Sequence, residues 1–209
     1  MEPTSLGQTT GVVSGIVLAG GRSSRFGVDD KLAATYDGMP LLHHPVLRLA
    51  EITGDVVVVL APDAPEPAMP PGAPVRFARD AREGEGPLAG AIAGLGAVDA
   101  ELAALAGGDM PGLSTAVLLE MLRIAGDAPV DAVVLQDGAG FRPLPAVVRV
   151  PRAREVGHAL LHDGERSLRA WLQAMRLAVI DEATWTALDP GRETPVDVDE
   201  PSDLDRGAG

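Results

Sequence analysis

Val12–Ala19, Asp55–Leu60 and Leu102–Ala106 are short, almost unbroken apolar runs, each followed at once or within two residues by glycine or proline. Their length and β-branched content suit strands covered on both faces. Between them lie stretches with helical spacing. These are Leu41–Glu51, with Pro40 near its start, the Ala/Gly-rich Leu88–Val98, and a segment reaching about Ala125 behind a capping Ser114. Val75–Ala78, Asp131–Leu135, Ala146–Val150 and Leu177–Ile180 are further strand candidates. Arg152–Leu161 and Arg166–Met175 fit helices. Ala61–Gly72, with five prolines, is a loop. Strands alternating with helices predict a three-layer α/β fold on a mostly parallel sheet. Such sheets bind ligands beyond the carboxyl ends of their strands. The loops after Ala19 and after Ala106 both leave strands there, so they are expected to meet in one crevice.

Only 3% of the residues are aromatic against 46% hydrophobic, so the core is expected to be built from Ala, Val and Leu. A formal net charge of -13 disfavours binding to nucleic-acid backbones. It does not exclude a nucleotide site, because amides, a lysine and a cation act locally. With no cysteine, thiol catalysis and thiolate metal sites are excluded. No apolar run reaches transmembrane length. Residues 1–12 read as a flexible leader without signal-peptide character and 13–206 as one domain, placed in the cytoplasm.

Three segments stand out chemically. Leu18-Ala19-Gly20-Gly21-Arg22-Ser23-Ser24-Arg25-Phe26-Gly27 ends a strand in two glycines, and Lys31 follows. The glycines let the backbone approach a ligand, and Arg22, Arg25 and Lys31 concentrate positive charge in an acidic chain. The order is neither that of a P-loop nor that of a dinucleotide fingerprint. Next, Asp80 precedes Gly86-Pro87-Leu88-Ala89-Gly90, a glycine loop entering a helix at a proline. A carboxylate only accepts hydrogen bonds. Finally, Gly107-Gly108-Asp109-Met110-Pro111 puts a carboxylate at a strand end, where magnesium could take it together with phosphate oxygens and water. Asp197 and Asp199 lie on the same side of an extended segment if alternation holds.

These strings resemble the nucleotidyltransferase superfamily that opens with Leu-x-Gly-Gly, then Arg, then Met/Phe-Gly, then Lys. Gly86-Pro87-Leu88-Ala89-Gly90 points within it to the molybdenum-cofactor guanylyltransferases. The resemblance spans about Gly15 to Leu204. It implies a three-layer α/β/α, Rossmann-like nucleotidyltransferase fold with a mostly parallel central sheet. It implies nucleotide binding by Leu18, Ala19, Gly20, Gly21, Arg22, Lys31, Asp80, Pro87, Leu88, Ala89, Gly90 and Asp109, with Asp80 reading guanine. Lys31, Arg25 and Asp109 would be catalytic, Arg25 facing the pyrophosphate. Mg2+ would sit on Asp109, with Asp199 as a second ligand. The chain departs from the family near its end, with Asp197 and Asp199 at two family Asn positions and Glu200 for Thr. Phe141–Val147 and Arg166–Leu172 resemble segments near the acceptor, making Arg142, Arg166 and Arg169 acceptor candidates. Arg142 stands where the family often has Gln or His.

The implied reaction moves GMP from GTP to the phosphate of molybdopterin, the molybdenum-cofactor precursor, and releases pyrophosphate. The partners are GTP and a molybdopterin-type acceptor, with possible transient contacts to other cofactor-biosynthesis proteins, but no nucleic acid and no membrane. A cytidylyltransferase, or a transferase acting on another phosphorylated metabolite, keeps the same fold. A nucleotide-binding regulator without catalysis is the reading from another class. Each version that binds a triphosphate needs Lys31 and Asp109 side by side.

Overall fold

The computed structural model describes residues 13–20, 31–80, 85–138, 140–200 and 202–204. The elements run β1 (Val13–Leu18), a 3-10 turn (Lys31–Ala33), β2 (Thr35–Tyr36), β3 (Met39–Pro40), α1 (His43–Ala50), β4 (Val56–Leu60), β5 (Val75–Arg79), α2 (Pro87–Gly96), β6 (Leu102–Gly107), α3 (Thr115–Asp127), β7 (Ala132–Asp137), β8 (Gly140–Arg149), α4 (Val150–His162), α5 (Leu168–Gln173), β9 (Leu177–Ile180) and α6 (Glu182–Leu188).

Seven strands form one sheet in the order β5-β4-β1-β6-β8-β7-β9. β8 is antiparallel to both of its neighbours, and every other pairing is parallel. All residues of β4 and β6 are buried, as expected of strands covered on two faces. One face packs against α2, α4 and α5, the other against α1, α3 and α6. Each face buries one tryptophan with its indole N–H satisfied. Trp171 donates to Ala153 O and Trp185 to Gln136 O. The rest of the core is mainly Val, Leu, Ile and Ala.

The small residues of α2 let it lie close to the sheet. A Cβ at Gly94 would stand 2.7 Å from Ile16 Cγ2 and 2.9 Å from Val59 Cγ2. Ser114 caps α3 as expected, accepting from Val117 N. The sequence reading differs from the structure at three places. Pro40 does not lead into α1 but closes a small hairpin, in which Asp37 and Gly38 both take positive φ (43° and 77°), as tight hairpin turns require. β8 begins at Gly140, not Ala146, because pairing with β7 continues past an irregularity at Val134/Leu135. α6 has no counterpart in the sequence reading. Asp181 caps it, and Trp185 supplies its one buried anchor.

Candidate active site

β1 and β6 are parallel neighbours in register from Val13↔Leu102 to Leu18↔Gly107, so their carboxyl ends coincide. Gly108 N donates to Leu18 O at 2.9 Å and Ala19 N to Val59 O at 2.9 Å, tying the two expected loops into one rim. Lys31 starts the 3-10 turn and is 9% exposed. Its Nζ donates to Asp109 Oδ2 at 2.7 Å and stands 3.8 Å from Asp199 Oδ1. Lys31 and Asp109, 78 residues apart in the chain, are therefore in contact. Gly107 makes room for this arrangement, since a Cβ there would lie 2.6 Å from Asp109 Oδ1.

The segment after α6 returns across this rim as a strap. Thr194 is fully buried, and its Oγ1 accepts from Ser114 N at 3.1 Å and donates to Asp189 Oδ2 at 2.7 Å. Val198 N donates to Asp109 O at 2.9 Å, and the Val198 side chain is buried. The residues on either side, Asp197 and Asp199, therefore face the rim, as alternation implied. Asp199 N and Glu200 N both donate to Asp203 Oδ2, which holds the turn that follows.

Three carboxylates thus crowd around one ammonium. The Asp197 carboxyl is pushed up to about 6, first by burial and then by the negative charge of Asp109. Arg142 and Lys31 oppose that rise. Among the described residues, no trio of Asp, Glu or His side chains is arranged to hold a metal ion by itself. The oxygen-only donors present suit a cation that also takes phosphate and water ligands.

The second cluster lies along the same edge. Asp80 follows β5, and its N–H donates to Leu60 O at 2.9 Å. A Cβ on Gly90 would lie 3.9 Å from Asp80 Oδ2, 3.9 Å from Val59 Cγ1 and 4.0 Å from Leu18 Cδ2, so Leu18, Asp80 and Gly90 are brought together. Gly86 takes φ 83° before Pro87 opens α2, and a Cβ there would meet Arg166 Cβ at 2.9 Å. Leu88 and Ala89 point into the core, 0% and 5% exposed, so the surface of this motif comes from Gly86, Pro87 and Gly90. Gly20 is exposed at the rim. Gly21, Arg22 and Arg25 lie outside the described residues.

Each of the three acceptor candidates is engaged within the protein. Arg142 Nη2 donates to Pro195 O and, at 3.2 Å, to Asp197 Oδ2, while Nε stands 3.6 Å from Asp137 Oδ2. Arg166 Nη1 donates to Leu161 O and Glu165 O, and Arg166 O accepts from Leu88 N at 3.3 Å. Arg169 lies over the Phe141 ring at 4.5 Å and donates to Phe141 O at 2.6 Å. Reading the sequence missed the Arg142–Asp197 pair and the strap anchor at Thr194. Nothing in a linear pattern links positions 55 residues apart.

Residues 15–179 match the MobA-like NTP transferase domain family. A curated relative from Chloroflexus aggregans, named probable molybdenum cofactor guanylyltransferase, is 30% identical over 197 residues, which is 92% of each chain. The molybdenum cofactor guanylyltransferase of Desulfosudis oleivorans is 32% identical over 178 residues, 85% of each chain. Among solved structures, molybdopterin-guanine dinucleotide biosynthesis protein A of Archaeoglobus fulgidus has a TM-score of 0.75 at 20% identity, covering 93% of this chain and 96% of its own. The 2-C-methyl-D-erythritol 4-phosphate cytidylyltransferase of Thermus thermophilus has a TM-score of 0.67 at 18% identity, covering 92% and 95%. At these identities the structural likeness establishes the fold, a three-layer Rossmann-like arrangement.

Proposed function

The chain belongs to the MobA-like NTP transferase family, and from that premise we propose that it moves GMP from GTP to the terminal phosphate of molybdopterin, releasing pyrophosphate. The observation that carries this reading is the contact between Lys31 and Asp109, with Asp199 beside them, at the carboxyl ends of β1 and β6. A triphosphate brought there meets a buried ammonium and a set of acidic oxygens. The names of the curated guanylyltransferase relatives support the choice of GTP and of the acceptor. The placement of Asp80 beside Gly90 and Leu18 supports it independently, since a carboxylate at that edge can accept both Watson–Crick donors of guanine.

Asp109 and Asp199 would hold a divalent cation, taken as Mg2+, which when bound would neutralise charge on the substrate phosphates. Lys31, and Arg25 from the same stretch of sequence, would offset charge on the departing pyrophosphate. The rim formed by Leu18, Ala19 and Gly20, with Pro87, would lie along the nucleotide, and Gly21 and Arg22 would also bind it. Arg166 and Arg169 would flank the acceptor. The attacking phosphate is already anionic near neutral pH, so the site needs no strong general base. Alignment and charge neutralisation supply the rate, as in other phosphoryl-type transfers.

Pyrophosphate release, measured for GTP, CTP, UTP and ATP with Mg2+ and molybdopterin, tests the reading. Release with GTP well above the other three is expected. Preference for CTP would overturn the guanine assignment, and silence with all four would overturn the transferase reading.

A further inference from the structure

We infer that Arg142 is a positioning residue acting through Asp197. It holds the Pro195–Asp199 strap and cancels one of the carboxylate charges facing Lys31, so that the site admits the phosphates of its substrates. The inference rests on the proposed reading of this crevice as a phosphate-transfer centre. It reassigns a residue that the sequence places at the acceptor.

The geometry carries it. Both Nη2 hydrogens of Arg142 are committed inside the protein, one to Pro195 O and one to Asp197 Oδ2 at 3.2 Å. Nε faces Asp137 at 3.6 Å. Two of its five N–H groups are thus used inside the protein before any ligand arrives, and a third faces a carboxylate. Arg142 and Asp197 are each about one-third exposed, at 34% and 36%, so their charges are only partly screened. Among the described residues, Lys31 and Arg142 stand against Asp109, Asp197, Asp199 and Asp137. Among these groups, removing Arg142 leaves Lys31 alone to offset the carboxylates. A polyanionic substrate then meets a more negative crevice, although Val198 N still ties the strap to Asp109 O.

Direct contact with the acceptor phosphate would make the loss of Arg142 irreparable by a change at Asp197. A positioning role makes it reparable, because removing the carboxylate charge removes the need for its partner. A double-mutant cycle of R142A, D197N and R142A/D197N separates the two. We expect R142A to raise KM for GTP and for the phosphorylated acceptor by about tenfold, with a smaller change in kcat; a coupling of that size is ordinary for charges in contact. We expect R142A to change KM by less than about twofold in the D197N background, a coupling of about fivefold or more, which is outside typical additive error. The same fold-change in both backgrounds would overturn the inference, whether Arg142 binds phosphate directly or only stabilises the fold. Melting curves check that each variant is folded, and R142Q replaces R142A in the cycle if R142A is not. If the wild type releases no pyrophosphate with any NTP, the proposed function falls. The cycle is then read by calorimetric binding of tripolyphosphate with Mg2+, where the same coupling is expected and its absence sinks the role of Arg142.

Discussion

The two ends of the central sheet handle charge in opposite ways. At the amino ends of the parallel strands, acids meet arginines. Asp131, just before β7, is 5% exposed and accepts from Arg176 N, Nε and Nη2 at 2.7–3.0 Å. These bonds hold its carboxyl at about 2. Asp55, before β4, accepts from Arg76 Nε and Nη2 and from Ser14 Oγ, and the Arg76 bond above all holds its carboxyl low. Arg149 spans Glu101, Ala125 O and Val130 O. At the carboxyl ends, acids meet acids. Asp109, Asp197 and Asp199 share Lys31 and Arg142, and Asp197 is pushed up rather than down. Like charges brought together cost stability, and such crowding is typical of sites built for an incoming ligand. One end closes the fold with paired opposite charges, and the other gathers like charges at the rim of the crevice.

The contrast can be broken first at Asp109. D109A is expected to lower pyrophosphate release by at least about a hundredfold, the scale for losing one group that stabilises transition-state charge. Its melting temperature should fall only modestly, because loss of the Lys31 contact at 2.7 Å is offset by relief of the repulsion between Asp109 and Asp197. Normal release from a folded D109A protein would remove Asp109 from the chemistry. At the other end the outcomes should reverse. D131A leaves the Arg176 main-chain N–H and guanidinium without their partner. That should cost about 1–3 kcal/mol, or roughly 2–12 °C in melting temperature for a chain of this size. Turnover per folded molecule should not change, and a melting temperature equal to that of the wild type would show that the pair stabilises nothing.

The smallest effect is in pH. The folded-state value of Asp131 is depressed below its ordinary 3.8 to about 2. Its contribution is therefore complete above about pH 4–5 and is lost as pH falls through 3.8 toward 2. Melting curves taken from pH 5 to 2 should fall more steeply for the wild type than for D131A. Parallel curves would mean that Asp131 is not the group titrating.

Much of this molecule was legible from local pattern. Asp55–Leu60 and Leu102–Ala106 read as strands because nearly all of their residues are buried on both faces and carry no alternation to confuse the period. Ser114 announced α3 because a cap acts within three residues. The meeting of the β1 and β6 carboxyl ends, and with it the Lys31–Asp109 contact, was legible because the sheet rule puts strand ends with glycine loops on one edge. The hairpin at Asp37-Gly38 was overlooked because its strands are only two residues long. α6 was missed because only one of its residues is buried, too few to set a period.

By itself the sequence determined the alternation of elements, the two-sided burial of the sheet and the chemical character of the crevice. Each of these depends on neighbours within a few residues. Only the tertiary structure decided that the strap lies across Asp109, that Leu88 and Ala89 turn inward while Gly90 faces Asp80, and that Arg142 pairs with Asp197. Those outcomes depend on segments remote in the chain meeting at one edge of the sheet. There, burial and the field of several charges together set where each side chain goes.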